Sequence, residues 1–205
     1  MVFKNNPEFK YNYRLLTTRF TTETYNDLQR YKENNNITGK SLFNIPIQLR
    51  FQNVSCDYPL IILEMNNSEN RIMGMGFVLN RPVGMYNRYD VYKDKNYNRY
   101  TYKSRFYVSF DEESDDYKNI IEKNNSFVST IEKLNNICFY GRGHLKRGNS
   151  FTAIPMKHIT VDINNNIMQI LLLKYEKKND TEIIIQLTTF KELKEETINR
   201  ILNDN

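Results

Sequence analysis

The stretch LIILEMNNSENRIMGMGFVL, residues 60–79, decides the fold class of this chain. An apolar run at residues 60–65 is followed by the turn-forming NNSEN and by a second apolar run at residues 71–79, which predicts two strands joined by a short connection. Working outward, further strand-like runs lie at residues 45–52, 100–110, 137–140, 151–154, 167–174 and 182–188. The last two flank residues 177–181 and predict a β-hairpin.

Three segments predict helices: residues 22–33 with a cap at Thr22 or Thr24, residues 117–135, and an amphipathic segment at residues 190–202 behind Thr189. Since many short strands precede any long helix, the pattern favours an α+β fold, a single domain with a small, mostly antiparallel, barrel-like sheet flanked by helices. We expect residues 1–40 to form an N-terminal arm or a helix packed on the domain. Residues 41–205 would form the domain itself, ending in the amphipathic helix.

Composition suits an ordered globular protein. The chain has 205 residues, of which 40% are hydrophobic, and its seven glycines and five prolines are too few for collagen-like or linker sequences. A net charge of +5 permits binding to a polyanion without requiring it. Cys56 and Cys138 both lie in apolar runs, so we expect buried free thiols rather than a disulfide.

The same sequence predicts an intracellular, soluble protein with no membrane partner. The first residues, MVFKNNPEFKYNYR, lack the apolar core of a secretory signal peptide. The longest apolar runs fall well short of the ~20 residues of a membrane-spanning helix.

Motifs of catalysis and cofactor binding are missing from the sequence. Neither His144 nor His158 belongs to an HExxH motif, and no GxSxG, GxGxxG or GxxxxGK[ST] pattern occurs in a strand–helix setting. We therefore expect no metal, no cofactor and no enzymatic activity. The alternative, an enzyme acting on nucleic acid, would need acids such as Asp90, Asp94 or Glu64 beside basic residues.

Residues 86–107, YNRYDVYKDKNYNRYTYKSRFY, interleave seven tyrosines with six basic residues. Tyrosine offers a flat face for a nucleobase, and Arg or Lys neutralises phosphate, so this pattern is typical of single-strand binding. The alternative is that these tyrosines simply line a core, because tyrosine is also a good strand former. The candidate site residues of this segment are Arg88, Tyr97, Arg99, Tyr100, Tyr102, Lys103 and Arg105.

A second basic segment is YGRGHLKRG, residues 140–148. Its glycines would let backbone N–H groups approach an anion, and its arginines could hold a phosphate through two parallel hydrogen bonds. The alternative is a glycine-bounded turn with solvated charges. The candidates here are Arg142, His144, Lys146 and Arg147.

The order RIMGMGFVLNRP, RFYVSF, a helix ending in IEKLNNI, and ICFYGRGHLKRGNSFTAIP, over residues 71–154, resembles the PUA-like superfamily, which includes EVE, ASCH and YTH domains. The segment GMGFVLNRPVGMYNRY with its basic continuation also resembles uncharacterised proteins of large DNA viruses. The resemblance implies a small barrel that recognises RNA or a flipped or modified base, with the Gly-x-Gly-x-Val strand lining a pocket. YTH-type cages use tryptophan, which this chain lacks.

The first hypothesis is thus a non-enzymatic protein that binds RNA or DNA, stacking bases on tyrosine and holding phosphate with basic loops. The alternative is a structural or assembly protein that uses the Tyr/Arg-rich segment to bind a protein partner or a second copy of itself, because tyrosine and arginine are also enriched in protein interfaces.

Overall fold

The computed structural model describes residues 2–3, 13–51, 58–85, 89–147 and 150–176. The predicted hairpin partner at residues 182–188 and the predicted helix at residues 190–202 lie outside these ranges. Four α-helices are described: α1 (Thr22–Asn34), α2 (Asp115–Lys123), α3 (Phe127–Phe139) and α4 (Val161–Glu176). The strands are β1 (Val2–Phe3), β2 (Arg14–Phe20), β3 (Leu42–Ile45), β4 (Arg50–Phe51), β5 (Pro59–Asn66), β6 (Arg71–Leu79), β7 (Gly84–Met85), β8 (Tyr100–Lys103), β9 (Phe106–Ser109) and β10 (Phe151–Ala153).

The strands form three sheets, which confirms the α+β class. The largest is mixed, with the order β10-β2-β5-β6-β9, in which only the β2–β5 pair is parallel. A second sheet, β3-β8-β7, is antiparallel, and β1 pairs with β4 in parallel. Within the described ranges, no closed barrel is formed.

The large sheet separates two hydrophobic cores, because successive side chains of a strand point to opposite faces. Ile61 and Leu63 of β5 face the helical side, where α2, α3 and α4 pack. Leu60 and Ile62 face the other side, where they meet Phe43 of β3 in the small sheet. The molecule therefore has a helical layer, a central sheet and a second layer made of the small sheet and α1.

Helix α1 begins where Thr21 caps it. The Thr21 Oγ1 accepts the Thr24 N–H at 3.2 Å, and the Thr24 side chain accepts the Thr21 N–H at 2.9 Å, so the two threonines satisfy each other's backbone donors. The helix was predicted almost to its bounds, but its cap is Thr21, not Thr22 or Thr24 as expected. Its buried residue Leu28 belongs to a separate, smaller hydrophobic cluster with Phe20 of β2 and Leu42 of β3.

Two glycines of β6 allow close packing, Gly76 against Phe43 of the second layer and Gly74 against Tyr107 of the neighbouring strand β9. A Cβ built on Gly76 would lie 2.6 Å from the ring of Phe43, and one built on Gly74 would lie 2.0 Å from the Tyr107 hydroxyl. The Gly-x-Gly-x-Val pattern of β6 thus faces packed aromatic rings. This differs from the pocket-lining role implied by the resemblance.

Two predicted strands are wrong, because both segments are helical. Residues 167–174 lie inside α4, whose buried positions Ile163, Ile167, Ile170 and Leu171 recur at helical spacing. Residues 137–139 form the last turn of α3, and residue 140 ends it. In both cases the apolar run is too short and too uniform to show the spacing of apolar residues that distinguishes a buried helix from a strand.

Other elements differ in their bounds. The predicted helix at residues 117–135 is broken into α2 and α3 at Asn124, whose extended backbone ends the first helix. Residues 100–110 form β8 and β9 in different sheets, because the chain crosses between them at residues 104–105. Of residues 45–51, only residue 45, at the end of β3, and residues 50–51, in β4, are in strands, and residue 52 lies outside the described residues.

Strand β2 was missed by the sequence analysis, which placed residues 14–20 in a polar N-terminal arm or helix. It pairs on one side with β10 and on the other with β5. Its sequence, RLLTTRF, is too polar to stand out as a core strand. Leu15 and Leu16 nevertheless reach opposite cores, one on each face of the sheet.

Two further sequence-based expectations concern membrane-spanning helices and the two cysteines. None of the helices in the described ranges combines the length and the apolarity needed to cross a bilayer. Cys138 is a buried free thiol, as predicted, and burial raises its pKa to about 12. Cys56 lies outside the described residues.

Candidate functional site

A cleft of about 460 Å³ opens between the large sheet and the second layer. The end of β2, the start of α1, Asn44 of β3, Asn67 after β5 and Ser150 before β10 contribute to its wall. The segment at residues 92–97 closes one side with Tyr92, Lys93, Asp94 and Tyr97. The volume is within the range of sites that hold small organic ligands.

The segment at residues 89–98 is held in place by one buried side chain, Asn98. Its amide nitrogen donates to Asp90 Oδ1 at 2.8 Å and to the Tyr92 carbonyl at 2.6 Å. Its amide oxygen accepts from the Tyr92 N–H at 3.1 Å and from Asn44 Nδ2 at 3.0 Å. All four hydrogen bonds are made by one fully buried residue, so they fix the conformation of the segment that carries Tyr97.

The basic loop, residues 140–147, is fastened to the wall of the same cleft. The carbonyl oxygen of Lys146 accepts hydrogen bonds from Arg19 Nη1 at 3.1 Å and from Asn67 Nδ2 at 3.2 Å. Arg19 and Asn67 both line the cleft. The loop leaves α3 through Gly141, whose φ of 78° lies in the left-handed region that favours glycine.

The tyrosines predicted to stack bases differ in their access to solvent. Tyr97 is 42% exposed and lines the cleft. Tyr100 is half-buried against the core of the second layer. Tyr102 is fully buried, and its hydroxyl accepts the Leu49 N–H at 3.1 Å, while burial raises its pKa to about 12. The prediction that Tyr102 contacts a base is therefore wrong, because its ring points into the core.

Lys93 of the first segment lines the cleft, but the basic residues predicted as site candidates in that segment do not, where the structure describes them. Arg99 is exposed, but Lys103 and Arg105 are half-buried on β8 and at its junction with β9. None of these three belongs to the wall of the cleft. Arg88 lies outside the described residues.

In the second segment, Arg142 and Arg147 are exposed, whereas His144 and Lys146 are half-buried. The Lys146 ammonium donates to Asn70 Oδ1 at 2.6 Å, so it holds the loop against the turn between β5 and β6. The structure therefore gives Lys146 an anchoring contact, and leaves the two arginines with their side chains in solvent.

Two residues, one in the basic loop and one in the cleft wall, were missed among the sequence-based candidates. Tyr140, at the start of the basic loop, is 57% exposed, and Arg19 on β2 joins the loop to the cleft wall. Tyr140 could have been found, since it opens the motif YGRGHLKRG. Arg19 could not, because it lies in the strand that the polar composition concealed.

Glu64 lies apart from this surface, fully buried under α1. It accepts hydrogen bonds from the Ser41 hydroxyl and, at 2.6 Å, from the Tyr107 hydroxyl. Burial raises the pKa of Glu64, against the opposing effects of Lys32 and of the two hydroxyl donors. Lys32 itself lies 4.6 Å from the centre of the Tyr107 ring.

The acids named for a nucleic-acid enzyme are thus separated. Glu64 is in the interior, Asp90 accepts a hydrogen bond from Asn98, and only Asp94 lines the cleft. Across the part of the chain that the structure describes, no three His, Cys, Asp or Glu side chains are grouped as a metal site would require.

No family model, curated protein or solved structure matches this chain.

Proposed function

We propose that this protein binds single-stranded nucleic acid across the cleft and the adjoining basic loop. One observation carries the proposal: Arg19 and Asn67 line the cleft that contains Tyr97, and both also hold the backbone of the basic loop through Lys146. The two segments that the sequence marks as basic and aromatic therefore meet at one surface. In the proposal this surface binds nucleic acid and does not catalyse a reaction.

The exposed rings would stack bases. Tyr97 at the cleft and Tyr140 at the start of the basic loop are both exposed, and both belong to segments with basic neighbours. A base stacked on an aromatic ring contributes roughly 1–3 kcal/mol, so two platforms suffice for useful affinity. They take the place of Tyr100 and Tyr102, whose rings contact the core.

The exposed guanidinium groups would neutralise the phosphates of the nucleic-acid backbone. Arg142 and Arg147 extend from a loop whose main chain is hydrogen-bonded at the Lys146 carbonyl and turns at Gly141. Arginine suits this task because its planar fork can donate two hydrogen bonds to one phosphate. A fixed loop loses less conformational entropy on binding than a mobile one.

The PUA-like resemblance is part of this proposal, including a barrel-like arrangement of the strands. Its support is the order of elements: β6, β9, α3 and β10 follow one another along the chain as the resembling motifs do.

The test is a salt titration of binding to labelled single-stranded RNA, single-stranded DNA and duplexes of mixed sequence. We expect affinity to fall steeply with salt and to be higher for a single strand. The double variant Arg142→Ala/Arg147→Ala should bind more weakly, and its plot of log affinity against log salt should be shallower by about 1.4, since each phosphate contact contributes about 0.7.

The matched control is Lys123→Ala/Lys133→Ala, which removes the same charge from exposed positions of α2 and α3 in the helical layer. This control should keep the salt slope of the wild type. Equal slopes for both double variants would contradict the proposal. So would a failure to bind any of the polymers, and self-association at high salt would then favour a protein interface.

A further inference from the structure

We infer that Glu64 is a positioning residue of the proposed binding surface: its protonated carboxyl keeps helix α1 in place as a wall of the cleft, and its ionisation loosens α1 and weakens binding. The inference rests on the proposed function and adds to it a dependence on pH. Its basis is the position of α1, which covers the buried carboxyl with one face and lines the cleft with another.

The Glu64 carboxyl is enclosed by hydroxyl groups from distant parts of the chain. It accepts hydrogen bonds from the Ser41 hydroxyl and, at 2.6 Å, from the Tyr107 hydroxyl. Tyr107 belongs to β9 and reaches across β6 to β5, because a Cβ at Gly74 of β6 would lie 2.0 Å from its hydroxyl oxygen. The glycine of β6 therefore leaves the space in which this contact forms.

Helix α1 covers this site with Tyr25 and Lys32. The hydroxyl groups of Tyr25 and Tyr107 hydrogen-bond to each other. The Lys32 ammonium lies 4.6 Å from the centre of the Tyr107 ring and donates to Gln29 Oε1 at 3.3 Å. Its positive charge favours the ionised form of Glu64, but burial opposes that form more strongly.

The other titratable groups around Glu64 are phenols. Burial raises the pKa of each, so they stay neutral: Tyr25, Tyr92 and Tyr107. Arg71 and Asp111 act on Tyr25 with opposite signs, and Asp27, which acts on Tyr92, is paired with Arg30 at 3.2 Å. Among the described residues that act on Glu64, Lys32 is the charged one.

Helix α1 is the part of this enclosure that can yield when Glu64 ionises. A buried carboxylate is strongly disfavoured unless water or a counter-charge reaches it. Strands β5, β6 and β9 are hydrogen-bonded to one another, whereas α1, as the structure describes it, has one fully buried side chain, Leu28. Local opening begins where the least apolar surface is buried, so α1 moves before the sheet does.

Movement of α1 changes the cleft because Thr24 and Asp27 line it. At 100° per residue these two positions lie on a different face of the helix from Tyr25 and Lys32, which cover Glu64. Release of the covering face therefore displaces the lining face. Affinity should be full at low pH, while Glu64 is protonated, and should fall as pH rises through its folded pKa.

The test is the affinity for a labelled single-stranded oligonucleotide of mixed sequence from about pH 5 to about pH 8, at fixed salt, for the wild type and for Glu64→Gln. The amide cannot ionise, so the variant should keep its affinity where the wild type loses it. Dividing one affinity by the other removes the titration of groups that both proteins share, such as His144 of the basic loop.

The wild type should equal the variant at the acidic end and bind at least about fivefold more weakly at the alkaline end. A ratio that stays constant with pH would overturn the inference and leave the proposed function standing. No binding by either protein at any pH would overturn the proposed function itself.

Lys32→Gln gives an independent readout, and it decides the question alone if Glu64→Gln does not fold. Without this cation Glu64 stays protonated to higher pH, so the fall in affinity should move to higher pH. Lys123→Gln, at an exposed position of α2, is the matched control and should keep the wild-type profile. A purely structural role of Lys32 would lower affinity equally at every pH, and an unmoved profile would contradict the inference.

Discussion

At the scale of single residues, Glu64 is the least ordinary group in the interior. A fully buried carboxyl on a central strand requires donors, and Ser41 and Tyr107 supply them. Burial raises its pKa above the ordinary carboxyl value, so folding favours the protonated form. The stability that this preference contributes is fully present below the unfolded pKa and is lost as pH rises through the folded one.

We therefore expect Glu64→Gln to gain stability relative to the wild type as pH rises. The amide keeps a hydrogen-bonding group at the site but cannot ionise, so the wild type should lose up to about 1.4 kcal/mol relative to the variant for each pH unit within the window. Urea unfolding at a series of pH values from about 4 to about 8 measures this difference.

Glu122→Gln, at an exposed position of α2, controls for the loss of one carboxylate. Its stability should follow that of the wild type at every pH. If Glu64→Gln also ran parallel to the wild type, the raised pKa of Glu64 would be refuted.

At the scale of elements, Gly76 of β6 sets the distance between two layers. Phe43 from β3 fills the space where a Cβ of residue 76 would lie, and Ser104 approaches the same position at 3.2 Å. Phe43 is fully buried, so it has no solvent-exposed space into which it can move.

Gly76→Ala should therefore destabilise the protein by about 1–3 kcal/mol through overpacking. Chemical denaturation would register this as a lower midpoint. Gly143→Ala is the matched control, because no atom lies within 4 Å of its added Cβ and its φ is not in the left-handed region. Equal midpoints for Gly76→Ala and the wild type would mean that the layers are not in close contact there.

Elements also show what could be read from the sequence and what could not. Strand β6 was predicted to its observed bounds, since the NNSEN turn marks its start. The sequence of residues 167–174 predicts a strand, because ILLLK is apolar and shows no helical spacing of apolar and polar residues. Its partners, which lie in other elements such as α3 and β9, decide that it is a helix.

At the scale of the whole molecule, the candidate site is a junction of distant segments. Arg19, Asn67, Tyr97 and Lys146 come from four parts of the chain and meet through hydrogen bonds and a shared cleft. The sequence identified two of the contributing segments by composition. It could not reveal which tyrosines are exposed. Side chains alternate between the two faces of a strand, and Tyr102 lies on the buried face of β8, whereas Tyr97 lies outside a strand.

The most direct test of the account is the affinity of Tyr97→Ala and Tyr97→Phe for single-stranded nucleic acid. Loss of one stacking ring should weaken binding by about 5- to 150-fold in the alanine variant, while phenylalanine keeps the ring and should keep the affinity within about twofold. If alanine binds as tightly as the wild type, Tyr97 does not stack a base, and the cleft is not part of the binding surface.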